Sequence, residues 1–205
     1  MKIIDVNTWN RKQHYNHFMA LTDPYFAVTV PFDVTKAYQF TKSNNVSFFG
    51  KYLHDCMKAI NAVENFKYRI VDEEVVEYDI IHASATLMRN DNTFGFSFVE
   101  FDERLEVFTK NIEKEKERIE GSKDLYPPQN SLDCIHCSAM PWLNFTGHKE
   151  PVSNTIDSVP KLSFSKAVWQ SNLLIMNVSI SVNHALADGY HVSLFAEKFQ
   201  ENLNK

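Results

Sequence analysis

Apolar residues recur at spacings of three and four from Ser47 onward, at Phe49, Leu53, Cys56, Met57, Ile60 and Val63, which predicts a helix with one buried face. Ser47 carries the side-chain oxygen that an N-cap needs. A second stripe, Leu105, Phe108, Ile112 and Ile119, predicts a helix over residues 102–120, with Asp102 as its cap and Gly121 ending it. Its NIEKEKERIE run is a solvated face with i,i+4 charge pairs. Val192, Phe195, Ala196, Phe199 and Leu203 mark a terminal helix, and residues 11–20 a short one before the turn Thr22-Asp23-Pro24. Strand patterns occupy FAVTVPFDVT, where Pro31 points to an edge or a bulge, and then FKYRIV, EVVEYD, IIHASATLM, TFGFSFVEF and IHCSA. An irregular stretch over 146–160 comes next, and then two further strands. The second of these, residues 173–182, alternates cleanly: Leu174, Met176, Val178, Ile180 and Val182 are apolar, and Asn177, Ser179, Ser181 and Asn183 are polar. Its polar face is compatible with water or with burial against another subunit.

These elements form no internal repeat and suit one α+β domain over residues 1–205. The chain has 205 residues, 44% of them hydrophobic and 23% charged, enough to bury its own core. No run approaches the roughly twenty apolar residues of a membrane span, and the start lacks the apolar block of a signal peptide, so a cytoplasmic location is expected. Cys56, Cys134 and Cys137 cannot all pair within one chain. The Cys134-x-x-Cys137 pair, half of a zinc or redox motif at most, lacks a second half at finger spacing and suits two small buried thiols better. A net charge of −5 argues against nucleic acid as the main partner, and with five glycines there is no Gly-rich phosphate loop. A small-molecule ligand is expected.

The segment HALADG, His184–Gly189, places a histidine where a strand ends and an Asp-Gly turn just before a helix. On the residues alone, His184 is either a satisfied structural histidine or a base at the mouth of a sheet, since its ordinary pKa lies near neutrality. Ending a strand with H-x-x-x-D-G resembles the coenzyme-A-dependent acyltransferases. VNHALADGYHVSLFAEKFQ, SAMPWLNF (138–145) and DVNTWNRKQHYNHF (5–18) are similar to the C-terminal, central and N-terminal motifs of the chloramphenicol acetyltransferases. The resemblance runs in order along the whole chain.

The resemblance implies a two-layer sandwich, a mixed β-sheet with helices packed on one face. It implies acetyl transfer from acetyl-CoA, a co-substrate rather than a resident cofactor, directly to a hydroxyl of chloramphenicol or a related acceptor. His184 would be the general base, its ring bonded to its own backbone carbonyl, and Ser138 would stabilise the oxyanion. Asp188 would pair with Arg11 and, with Gly189, brace the turn. Phe18, Phe26, Phe94, Phe96, His136 and Ser163 would border the acceptor. Lys166 and Trp142 would border coenzyme A, although Trp142 by itself suits packing. Family members are homotrimers with sites between subunits, and no metal is implied.

The chain departs from the family pattern at Phe18, where tyrosine is usual, and at His136, where asparagine is usual. His148, Glu150 and Lys161 replace apolar residues that line the antibiotic, and burying such charges is costly unless they are paired. A loop on a different path, leaving those charges solvated, and a more polar hydroxyl acceptor are the alternatives. A dihydrolipoamide acyltransferase core, a non-catalytic trimeric binding protein, and a metal held by His184, Asp188 and His191 are the competing readings.

Overall fold

The structure is a computed structural model describing residues 1–151 and 155–205. Residues 152–154, part of the irregular stretch expected over 146–160, lie outside the described residues. In chain order the elements are β1 (Lys2–Ile4), α1 (Lys12–Met19), β2 (Tyr25–Asp33), α2 (Thr35–Asn44) and α3 (Phe48–Asn61). Then come β3 (Tyr68–Val71), β4 (Glu74–Glu77), β5 (His82–Met88), β6 (Phe94–Phe96) and α4 (Leu105–Glu120). The chain continues through β7 (Cys134–Met140), β8 (Lys161–Ser165), β9 (Val168–Gln170), β10 (Leu173–Asn183) and α5 (Gly189–Leu203).

The main sheet has the order β2-β10-β8-β7-β5-β6, with β9 also paired to β10. It is mixed: β7 runs parallel to β5 and β8, and the other pairings are antiparallel. A small antiparallel sheet, β1-β4-β3, stands beside it. Strand β2 is the outer strand of the main sheet, so Pro31, which has no N–H to donate, sits at an edge as its chemistry requires. The apolar stripes of α3, α4 and α5 share one core cluster with Val178, Ile180 and Val182 of β10 and Leu162 and Phe164 of β8. This is the α+β sandwich that the resemblance implied.

The even positions of β10 face that core. The odd ones are not left to water: Ser179, Ser181 and Asn183 are buried too. Phe145, His148 and Asp157 of the same chain lie against them. The Asn177 side chain donates to Phe145 O at 2.9 Å and the Asn183 side chain to Asp157 O at 2.9 Å. A polar strand face buried in this way has partners for its donors, which the period-two pattern alone could not specify.

Three local differences from expectation have local causes. Asp102 does not cap α4. Its carboxylate accepts from the backbone N–H of Arg104 at 2.8 Å, closing a turn ahead of the helix, and Arg104 is the residue that precedes the first turn. Helix α2 and strand β1 escape the hydrophobic pattern, because α2 buries only Ala37 and Thr41 and β1 has three residues. TFGFSFVEF contributes only Phe94–Phe96 to a strand, with one further bridge between Val99 and Ala83.

Candidate active site

Strand β10 ends at Asn183, whose side chain shapes the turn into α5. Asn183 Oδ1 accepts from Ala185 N at 2.9 Å, and its backbone carbonyl accepts from Leu186 and Ala187. The backbone N–H of His184 donates to Pro24 O at 2.8 Å, which ties the turn to the chain entering β2. Arg11 closes the assembly with its planar fork: Nη1 reaches Asp188 Oδ2 at 2.6 Å and Nη2 donates to His184 O at 3.2 Å. Asp188 also caps α5, accepting from Tyr190 N at 3.0 Å, and its own N–H donates to His191 Nδ1 at 3.2 Å. Arg11 and Asp188 therefore brace the turn as expected. Gly189 shows no steric demand of its own: a Cβ there would meet nothing within 4 Å and its φ is not positive.

The His184 ring lies stacked on Phe18, centroids 3.8 Å apart and 5° from parallel, and against Phe26 at 4.5 Å. Its Nδ1 is buried without a hydrogen-bond partner, so the bond from ring to own carbonyl is not formed; that carbonyl takes Arg11 instead. Phe18, at the position where tyrosine is usual, supplies a flat apolar wall to the ring. Burial pushes the Asp188 carboxyl up, but the hydrogen bond from Arg11 and the neighbouring His191 and Arg11 charges bring it below the ordinary aspartate value. A lowered carboxyl contributes stability above its unfolded pKa, about 3.9, and loses it as the pH falls through the lower folded value. Acid unfolding followed by circular dichroism should therefore begin at lower stability, with a shallower pH dependence, in Asp188→Asn than in the parent.

Strands β7 and β8 run side by side with Ser138 opposite Ser163, His136 opposite Lys161 and Ala139 opposite Phe164. Two cavities take lining residues from this pair. A cavity of about 520 Å³, lined mainly by apolar side chains including Tyr38, Tyr52, Phe164 and Trp169, contains Ala139, Trp142 and Lys166. Lys166 N donates to Leu143 O at 2.8 Å, holding the turn that carries Trp142 beside it. Trp142 is 65% exposed, so it forms the cavity's rim and is not a packing residue. A second cavity, of about 220 Å³, is lined by Tyr25, Phe26, His148, Glu150 and Lys161 among others. Ser138 lines neither cavity: it precedes Ala139 of the first and pairs with Ser163, which bonds Glu150 of the second, and its hydroxyl makes no hydrogen bond among the described residues.

Lys161 in the second cavity is paired rather than solvated, and Glu150 is hydrogen-bonded on one oxygen. Lys161 Nζ lies 2.7 Å from Asp157 Oδ2, donates to Pro151 O at 3.2 Å and sits 4.8 Å above the Tyr25 ring. Burial pushes the Asp157 carboxyl up, yet the hydrogen bonds from Lys161, Val159 N and Tyr25 bring it below its usual range. Ser163 Oγ donates to Glu150 Oε1 at 2.6 Å. His148 Nδ1 lies 3.5 Å from the same oxygen, within ion-pair range but without hydrogen-bond geometry. Tyr25, which completes this network, carries no sequence signal because its partners Asp157 and Val159 lie more than 130 residues along the chain.

Other expected neighbours are not assembled within one chain. Phe94 and Phe96 pack on each other and on Tyr126 at the β6 end of the sheet and make no ring contact with His184. His136 has an exposed edge on β7, opposite Lys161, and its imidazole stands close enough to Asp157, Lys161 and Glu150 of the second cavity to feel their charges; burial lowers its pKa. Ser163 pairs with Ser179 of β10, so His184 lies five residues of strand and two strands away from Ser138. At about 3.3 Å per residue and about 4.8 Å per strand, that separation is roughly 20 Å. His184, Asp188 and His191 do not form a metal cluster, and no group of three such ligands occurs among the described residues. No helix among them is long and apolar enough to cross a membrane.

A family model for chloramphenicol acetyltransferase matches residues 1–200. Chloramphenicol acetyltransferase of Bacillus pumilus is 28% identical over 199 residues, covering 96% of this chain and 90% of that protein. Chloramphenicol acetyltransferase 3 of Escherichia coli is 25% identical, covering 98% and 95%. A solved chloramphenicol acetyltransferase superposes with a TM-score of 0.87 at 26% identity over 98% of this chain and 99% of that one. The dihydrolipoamide acetyltransferase of Azotobacter vinelandii shares the fold, with a TM-score of 0.73 at 15% identity over 95% of this chain and 86% of that one. A match over nearly the whole length means that the chain, with its braced histidine turn, belongs to the chloramphenicol acetyltransferase family, a family of acyltransferases.

Proposed function

We propose that the chain transfers the acetyl group of acetyl-CoA directly to a hydroxyl of chloramphenicol or a related small acceptor. The carrying observation is that Ser138 adjoins Ala139 of the apolar cavity and pairs with Ser163, which bonds Glu150 of the polar one. The first cavity fits coenzyme A chemically: apolar walls suit the pantetheine arm, and Lys166 on its lining suits a phosphate. Neutral His184 accepts the acceptor's hydroxyl proton while that oxygen attacks the thioester carbonyl. Ser138 donates a hydrogen bond to the oxygen that gains charge. As the carbon–sulfur bond breaks, the proton passes from His184 to the departing sulfur, so no acyl-enzyme forms. Phe18 and Phe26 hold the imidazole plane, and Arg11 with Asp188 holds its backbone.

Because His184 and Ser138 of one chain stand roughly 20 Å apart by register, the complete site joins His184 of one subunit to the cavities of another, in a homotrimer. Phe94, Phe96 and His136, which find no place near His184 within one chain, would border the acceptor across the same contact. Free thiols at Cys56, Cys134 and Cys137, all buried, suit a reducing cytoplasm.

The test is thiol release from acetyl-CoA in the presence of a hydroxyl acceptor. Ser138→Ala should lower kcat by about 10²–10³. Mixing inactive His184→Ala and Ser138→Ala chains under refolding conditions should restore part of the activity, since some subunit contacts then pair an intact histidine with an intact serine. Full turnover in Ser138→Ala would remove that residue from the mechanism, and no recovery on mixing would leave the shared site without support.

A further inference from the structure

We infer that the acceptor is a compact hydroxyl compound bearing a protonated amine, and that Glu150 is its counter-charge. The inference rests on the acetyl-transfer reading and narrows its substrate. The cavity of about 220 Å³ reaches Ser163, the strand partner of Ser138, through Glu150, on the side of the site that the serine's own subunit supplies. Its positive charges are already committed. Lys161 is held by Asp157 at 2.7 Å, by a backbone carbonyl and by the Tyr25 ring. The Lys149 side chain is 80% exposed and meets Asp23 at 3.7 Å, a solvent-screened surface pair.

Glu150 is different. Its side chain is 23% exposed, Ser163 occupies one carboxylate oxygen, and the other accepts no hydrogen bond among the described residues. His148, whose Nδ1 lies 3.5 Å away, lacks hydrogen-bond geometry to it. A neutral, apolar acceptor seated here would strip water from the carboxylate and return nothing. An ammonium group replaces that water with a charge-assisted hydrogen bond. The volume, below the roughly 300–1,000 Å³ of pockets for drug-sized ligands, favours a small molecule.

Two acceptors that share their hydroxyls and differ in charge test this: chloramphenicol, and the amino diol left when its dichloroacetyl group is removed. Thiol release is measured with acetyl-CoA at neutral pH, and mass spectrometry with NMR locates the acetyl group. The parent should favour the amino diol in kcat/KM by at least about tenfold, with the acetyl group on oxygen. Glu150→Gln, which keeps an acceptor for Ser163, should lose that preference by about tenfold or more, chiefly through KM. Equal or better use of chloramphenicol by the parent, transfer to nitrogen, or an unchanged preference in a folded Glu150→Gln protein would each overturn the inference and leave acetyl transfer standing. No thiol release with either acceptor would overturn the transfer reading itself. The comparison of acceptors in the parent needs no variant, so a Glu150→Gln protein that failed to fold would not protect the inference.

Discussion

Replacing His184 with alanine should lower kcat/KM for acetyl transfer by at least about a thousandfold, the usual weight of a lost general base. The loss should be chemical rather than structural. The contacts that hold this turn run through the backbone: His184 N to Pro24 O, and Arg11 Nη2 to His184 O. Alanine keeps both. What it removes is an imidazole packed between Phe18 and Phe26, so a modest fall in melting temperature from lost ring contact is expected alongside. Thiol-release kinetics on parent and variant, with thermal unfolding as the control for folding, decide the matter. Equal activity in the two proteins would dismiss His184 as the base and the histidine turn as the site.

Arg69→Met should be the most destabilising single change away from the site, by about 3–5 kcal/mol. Arg69 is fully buried on β3, and its guanidinium donates to four backbone carbonyls: Leu132 at 2.7 Å, Phe66 at 2.9 Å, Tyr68 at 2.6 Å and Cys134 at 2.5 Å. Burial pulls its pKa down to about 10, so it remains charged at neutral pH. Methionine fills much of the volume but offers no donor, leaving buried carbonyls unpaired. Because Cys134 opens β7, the same contacts fix the start of the strand that presents Ser138 and link the small sheet to the large one. Urea unfolding at unchanged slope would report the loss as a shifted midpoint. A shift worth less than about 1 kcal/mol would mean that water or neighbouring donors readily replace the guanidinium.

The elements most visible in the sequence are those whose apolar residues keep a long, regular period. Helices α4 and α5 each bury one apolar stripe, whereas α3 and β10 carry a regular apolar stripe and are buried on other faces too, Lys51, His54 and Asp55 of α3 included. Helix α2 is invisible to that pattern because only two of its residues are buried, so no stripe exists to detect. The start of α4 is ambiguous in sequence because Asp102 has the right chemistry for two neighbouring roles, a helix cap and a turn, and backbone geometry chooses the turn. The Arg11–Asp188 brace, 177 residues apart in sequence, is reached through the motif resemblance and not through spacing.

The sequence by itself determined the sheet-and-helix composition, the strand-end histidine followed by Asp-Gly, and the presence of charged residues where an apolar lining was expected. All of these are encoded in neighbouring residues or in short periods. Tertiary structure alone decided that Phe145 and Asp157 meet the polar face of β10, that Glu150 finds Ser163, and that Ser138 lies far from His184 in its own chain. The reason is physical: desolvating a polar or charged group is unfavourable unless a partner arrives, and in three dimensions the partner can come from anywhere along the chain.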